Sequence, residues 1–358
     1  DAVFGTGLNR RTNKKEVDLI TFLNGVKLPK VSIDMPSGLL ADQMITDQTV
    51  IFKADETLSF QFWKKTFLHP ETGIYCGKVH ILDISLSEEF IQDEITSDYV
   101  IDDLLIHRIY KTRSEISHKG NFGKTTIIAG SFGRVGAAVL AVKAALKSGS
   151  GLTFVHAPKC GYEILQTSCP EAIYLYGGEN HHDRFQIDHD TVVGIGPSLG
   201  INTDTESAFM DFLKSCDQPM VLDADALNII SRHTQFLARI PENSIITPHP
   251  KEFERLFGIT ENSFDRVELA REKAAELGIY IVLKDHHTQI ITPEKDVFYN
   301  ITGNSGMAKG GSGDALLGII TSLLAQNYSS KDAAIFGVWL HGKAGDLAAE
   351  KFSKEAML

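Results

Sequence analysis

GNSGMAKGGSGDALLGIITSLLAQ, residues 303–326, is the stretch on which the reading of the whole chain turns. Gly303, Gly306, Gly310 and Gly311 lead to Gly313 and Asp314. A segment apolar almost all round follows, with Ala315, Leu316, Leu317, Ile319, Ile320, Leu323 and Leu324. That pattern predicts a wholly buried helix. A helix start presents free backbone N–H groups and the positive end of the helix dipole, and small residues let an anion approach it closely. Gly311, Ser312 and Gly313 therefore read as an anion hole, with Asp314 beside it in the first turn. An aspartate there can take a proton from a hydroxyl while the amides stabilise a transferring phosphoryl group. The competing reading is an N-capping aspartate after a flexible loop. The buried helix and Lys309 alongside favour the phosphoryl site. The GxxxxGK[ST] loop is absent, which argues against a P-loop ATPase.

Working outward, short β-branched runs alternate with helical patterns. VSID (31–34), TTIIAG (125–130), LTFVHA (152–157), TVVGIG (191–196), MVLDAD (220–225), SIITPHP (244–250) and YIVLK (280–284) read as strands. SFDRVELAREKAAELG (263–278) reads as a helix, with Val267, Ala270, Ala274 and Leu277 on one face and Gly278 as the stop. The alternation predicts an α/β protein with a mostly parallel sheet and ligands at the carboxyl ends of its strands. From Ser85 to Asp103 the chain turns acidic, with Glu88, Glu89, Asp93, Glu94, Asp98, Asp102 and Asp103. This predicts a solvated linker followed by a first helix, and a domain boundary near residue 95.

Composition narrows the classes. A chain of 358 residues is long enough for about two domains. Its 43% hydrophobic and 23% charged residues are those of a globular protein. A net charge of −11 argues against a nucleic-acid or anionic-membrane binder. No segment reaches the roughly 18 apolar residues of a membrane span. Cys76, Cys160, Cys169 and Cys216 form no CxxC pair, which fits a reducing cytoplasm better than a disulfide framework or a zinc site. The opening DAVFGTGLNRR (1–11) reads as a strand end and a glycine loop, so a preceding portion is expected to be missing.

Further stretches suit a nucleotide enzyme. SFGRVGAA (131–138) is a glycine turn into a helix, where Ala137 and Ala138 leave room for a flat ring or simply for tight packing. GIGPSLG (194–200) turns around Pro197. VLDADALN (221–228) sets Asp223 and Asp225 at a strand end, to orient a cation or hydroxyl or to cap a helix. In TPHPKEFERL (247–256), His249 is pinned between two prolines. VLKDHHT (282–288) ends a strand at Lys284, and its adjacent histidines would point oppositely on a strand, which argues against a shared metal.

Taken with SHKGNFGKTTIIAGSFGRVGAA (117–138) and NSGMAKGGSGD (304–314), these motifs make residues 96–358 resemble the ribokinase-like ADP- or ATP-dependent NAD(P)H-hydrate dehydratases. Residues 1–95 resemble the C-terminal part of the matching NAD(P)H-hydrate epimerase domain. The resemblance implies a three-layer α/β/α fold preceded by a partial Rossmann-like domain. It implies repair of hydrated NADH or NADPH with ADP or ATP as phosphoryl donor and Mg²⁺, the fused layout favouring ADP. It assigns Ala137, Gly200, His249 and Asp314 to the hydrated dinucleotide. Lys284, Asp285, His286, His287, Thr288 and Gly313 go to the adenine nucleotide, with Asp314 as the catalytic base. In the epimerase part it assigns Gly5, Thr6, Gly7, Leu8, Asn9, Arg10, Arg11 and Asp34 to substrate, and Asp1 and Ser37 to K⁺. The family more usually has glycine at Ser198 and at Asp285, and its NNGGD-type loop is nowhere in this chain. Family members form homo-oligomers. A ribokinase-fold kinase for a small alcohol would share the GxGD turn, but the TPHP and KDHHT stretches favour repair; a non-catalytic nucleotide-binding scaffold is disfavoured by the intact GGSGD turn.

Overall fold

Val, Ile and Thr suit a pleated, half-buried surface, and each of the seven β-branched runs forms a strand. The computed structural model describes residues 1–358 apart from Asn9, Arg11, 45–48, His189 and Leu358. The chain divides into two units: Asp1–Ser97 with Thr260–Glu268, and Asp98–Ile259 with Leu269–Leu358. In the first unit, β1 (Val31–Ile33), β2 (Glu56–Phe60) and β3 (Lys78–Leu82) form a parallel sheet in that order. Its helix Lys14–Gly25 opens with a reciprocal capping box of Asn13 and Glu16.

The second unit holds β4 (Asp98–Val100), β5 (Lys124–Ile128), β6 (Leu152–Ala157), β7 (Ile173–Tyr176), β8 (Val192–Ile195), β9 (Met220–Leu222), β10 (Ile245–Ile246), β11 (Tyr280–Leu283), β12 (Gln289–Ile291) and β13 (Val297–Tyr299). Their order is β4-β13-β12-β11-β10-β9-β8-β5-β6-β7. Only the two pairings made by β12 are antiparallel among the described residues. Consecutive residues of β5 separate the two faces. Ile127 joins the core made with helices Gly136–Lys147, Ser312–Ala325 and Ser330–Phe352, through Ala141, Leu317, Ile320 and Ile335. Ile128 faces the opposite side by strand alternation. On that side His156 of β6 stacks with Phe185, which meets Phe209 of helix Thr203–Ser215 edge-on. Helices thus cover both faces, giving the three-layer α/β/α architecture.

The acidic stretch is largely exposed from residue 85 to 97 and leads to the helix Asp103–Ile109, as expected, but it also holds structure the sequence did not show. Ser87 caps a short helix, Glu88–Asp93, and residues 98–100 form β4, which pairs with β13. Asp102 caps the helix Asp103–Ile109, and Asp98 pairs with Arg271 at 2.6 Å. Two of the seven acids thus have structural partners, one as a cap and one as an ion pair, while Glu88, Glu89, Asp93 and Glu94 are exposed. No helix among the described residues is long and apolar enough to cross a membrane.

Candidate active site

Strands β11, β10, β9, β8 and β5 are neighbours and run the same way, so the segments leaving them meet along one carboxyl edge. Backbone bonds knit that edge together: Gly130 N donates to Pro197 O at 2.8 Å, Thr247 N to Leu222 O at 3.0 Å and Lys284 N to Pro248 O at 2.9 Å. Gly196 sits at φ +141, and a Cβ there would strike the Asp223 carbonyl oxygen, so only glycine lets these two strand ends touch. Asp223 occupies the N-cap position of the helix Ala224–Arg232 but makes no cap bond. Its carboxylate instead accepts from Lys284 Nζ at 2.8 Å while only 2% exposed. Glu252, 6% exposed, lies 4.0 Å from the same ammonium. Burial pushes the Glu252 carboxyl up, against the pull of Lys284.

This shared cation sits at the start of the buried helix Ser312–Ala325. Its N-cap is Gly311, left-handed at φ +96, and no side chain caps it, so its first amides are left for an anion. A Cβ on Gly311 would lie 2.5 Å from Leu140 Cδ1, and one on Gly313 would lie 3.5 Å from Lys284 Nζ and Asp223 Oδ2. Asp314 therefore is not the cap. Burial first, and then the neighbouring Asp223, push its carboxyl from 3.8 up to about 6, with Lys284 opposing. A carboxyl in that range is a competent base at neutral pH.

A cavity of about 720 Å³ opens beside this turn. It is lined by Lys284, Asp285, His286, His287, Thr288 and Gly313, the six residues expected to bind nucleotide, together with His249 and Ser312. His287 Nδ1 lies 3.2 Å from Asn300 O, and burial with His286 holds its ring down at about 4. Among the described residues no group of three or more His, Cys, Asp and Glu could hold a metal ion. His249 combines two roles. Its Nδ1 accepts from Lys251 N and Glu252 N, completing a capping box with Glu252. That fixes the tautomer with the proton on Nε2 and leaves the ring half-exposed against the cavity.

Packing separates the two alanines. Ala138 is wholly buried in the core, whereas Ala137 is partly exposed at the start of Gly136–Lys147, one turn before Leu140. Gly200 N donates to Asp225 Oδ2 at 2.9 Å, so Asp225 anchors the GIGPSLG turn.

In the first unit, Asp1 and Ser37 are brought together: Ser37 Oγ donates to Asp1 Oδ1 at 2.7 Å and Ser37 N to Asp1 Oδ2 at 2.8 Å. Asp34, left-handed at φ +68, accepts from Thr6 N at 3.1 Å, and Gly5 packs against its carboxylate. Arg10 differs in being tied to Glu16 by two hydrogen bonds. Gly7 and Leu8 continue the loop, and Asn9 and Arg11 lie outside the described residues.

Residues 125–358 match the family model described as NAD(P)H-hydrate dehydratase, and residues 1–66 match that of the YjeF-related protein N-terminus. The whole chain is 34% identical to the bifunctional NAD(P)H-hydrate repair enzyme of Vibrio cholerae, covering 72% of it. The chain belongs to the NAD(P)H-hydrate dehydratase family. Over 68% of its length it is 40% identical to the ADP-dependent (S)-NAD(P)H-hydrate dehydratase of Neisseria meningitidis, covering 82% of that protein. Its structure resembles the ADP/ATP-dependent dehydratase of Bacillus subtilis co-crystallised with ATP and Mg²⁺, with a TM-score of 0.64 at 31% identity. That match covers 73% of this chain and 93% of the other.

The two positions where the resemblance leads one to expect glycine differ in backbone. Ser198 sits at φ +54, a left-handed position that glycine adopts at lower cost. Asp285 is not among the residues with positive φ, and its Oδ1 accepts from His286 N at 2.8 Å, which stabilises the turn itself. Sequence reasoning missed the wall contributed by the helix Ser330–Phe352. Asp346 there accepts from Gly303 N and Asn304 Nδ2, both at 2.9 Å, and His341 lines the cavity. Polar residues on a mostly apolar helix were the available signal. Lys64 was also missed: its ammonium lies 3.3 Å from Asp34 and donates to Ser59 Oγ and Phe60 O.

Proposed function

We propose that this chain converts hydrated NADH or NADPH back to the reduced dinucleotide, using ADP or ATP. The observation that carries the reading is a carboxylate, Asp314, raised to about 6 in the first turn of a helix whose uncapped amides border a nucleotide-sized cavity. Asp314 takes the proton of the C6 hydroxyl, and the freed oxygen attacks the terminal phosphorus of the nucleotide. AMP or ADP leaves, and the amides at 311–313 hold the transferring group. The ring nitrogen's lone pair then expels phosphate, breaking the C6–O bond, and loss of the C5 proton restores the dihydropyridine. Lys284 neutralises nucleotide phosphate, and its existing partners Asp223 and Glu252 keep it in place. Magnesium supplied with the nucleotide would offset phosphate charge, alongside Lys284. Ala137, Gly200 and His249 line the dinucleotide's side of the edge.

The reading extends to residues 1–95 as part of an epimerase domain and 96–358 as the dehydratase domain. Asp34 with residues 5–11 would face the epimerase substrate, and the hard oxygens of Asp1 and Ser37 would hold K⁺. It also includes a cytoplasmic location, in keeping with four free cysteines, and a homo-oligomer testable by sedimentation. The deciding experiment incubates the chain with chemically hydrated NADH, with and without ADP or ATP. Nucleotide-dependent recovery of the dihydropyridine spectrum with release of free phosphate supports the reading. A stable phosphate ester would instead identify a small-molecule kinase.

A further inference from the structure

We propose that His341 is a positioning residue of the phosphoryl site: its Nε2–H donates to Ser312 Oγ and thereby turns the serine's own proton toward the nucleotide phosphate. The proposal rests on the reading of 311–313 as the seat of the transferring group. His341 Nε2 lies 3.3 Å from Ser312 Oγ, and both residues line the 720 Å³ cavity. Burial and the nearby Lys284 ammonium keep the imidazole at about 4, so it is neutral and carries one N–H and one acceptor nitrogen.

The direction of the bond follows from what a phosphate can offer. Its oxygens only accept, so a serine hydroxyl serving the anion hole must spend its single proton on the ligand. Toward the imidazole the same hydroxyl can then only accept, which requires the proton on Nε2. The amides of the first turn are aimed by the helix itself, whereas a hydroxyl rotates freely unless a partner fixes it. His341 is held for that task. On the same helix Trp339 O accepts from Thr302 Oγ1 at 3.1 Å, and Asp346 binds Gly303 N and the Asn304 amide. These bonds tie the helix that carries His341 to the 302–304 loop, and the ring itself also hydrogen-bonds to the Ser312 backbone.

The test uses the full chain as wild type, His341→Phe, His341→Gln, Ser312→Ala and the double variant S312A/H341F, assayed with hydrated NADH and ADP. Loss of one aimed donor to developing charge predicts that H341F lowers kcat roughly 10–100-fold while the KM for ADP moves by less than about threefold. Glutamine, whose terminal amide N–H can reach the Nε2 position, keeps kcat within about fivefold of wild type. S312A/H341F is no slower than S312A. An H341F variant at wild-type kcat, or effects of the two substitutions that multiply, overturns the proposal. The ¹⁵N shifts of the His341 ring in the wild-type protein with ADP bound give a readout that needs neither variants nor turnover. The Nε2–H tautomer is expected, and the Nδ1–H tautomer refutes the role. If wild type fails to restore NADH, the dehydratase reading fails by itself, and the tautomer still decides the His341–Ser312 assignment.

Discussion

Replacing Asp314 with asparagine should make the protein more stable at pH 8 while nearly abolishing turnover. The native carboxyl titrates at about 6 against an ordinary 3.8, because it is buried beside Asp223. Native protein therefore holds this proton more tightly than unfolded protein does. Below pH 3.8 both states are protonated and the site costs nothing. As pH rises through 6 the native state comes to bear a charge it disfavours, and stability is lost. The full linkage would be about 3 kcal/mol at roughly 1.4 kcal/mol per unit. Asp314 is only partly buried, so solvent screening reduces this to roughly 1 kcal/mol. Asparagine has the same shape without the charge. Urea unfolding should show D314N about 1 kcal/mol more stable than wild type at pH 8, with the gain shrinking toward pH 4.5. Turnover at pH 8 should fall about 10²–10⁴-fold, the usual effect of losing a positioned base. Wild-type activity should decline tenfold per pH unit below about 6. A D314N variant that turns over normally, or that is destabilised at pH 8, would refute the assignment.

The other expectations begin with a buried histidine pair on the far side of the sheet and then return to parts of the site that can be separated from its chemistry. Burial holds His156 at about 4, and burial with His156 alongside holds His182 at about 3. Unfolded chains take up these protons near 6.5, so stability present above that pH is lost as pH falls toward 4, by up to about 1.4 kcal/mol per unit for each ring. The urea midpoint should drop between pH 7 and 5 and do so less in His156→Phe; a flat profile contradicts this. Gly311→Ala combines left-handed strain with a contact on Leu140 and should cost about 2 kcal/mol or more in melting experiments. Gly313→Ala meets only ordinary contacts, so it should melt near wild type yet bind ADP at least about tenfold more weakly, as read by calorimetry. Asp346→Ala frees two anchors of the 303–304 loop and should raise the KM for nucleotide more than it lowers kcat.

What the sequence disclosed and what it withheld divide along a physical line. The turn at 303–314 was legible because its meaning is local: small residues, a following apolar helix and one acid define an uncapped helix start wherever the chain goes. The six cavity-lining residues that the resemblance singles out were likewise within reach, since five of them, 284–288, are consecutive at a single strand end and its loop. The partners of those residues were not legible. Asp223 and Asp225 are identical and two positions apart. One neutralises Lys284, 61 residues away, and the other anchors Gly200, and only the meeting of β8, β9 and β11 at one edge distinguishes them. Ala137 and Ala138 differ only in which side of a helix faces the core. His341 and Asp346 lie in a helix with no motif of its own, and their importance comes from the wall they face. The basicity of Asp314 belongs to this second class. Its residue type and position could be read from the chain, but the shift to about 6 comes first from burial and then from the neighbouring carboxylate of Asp223, and the fold supplies both.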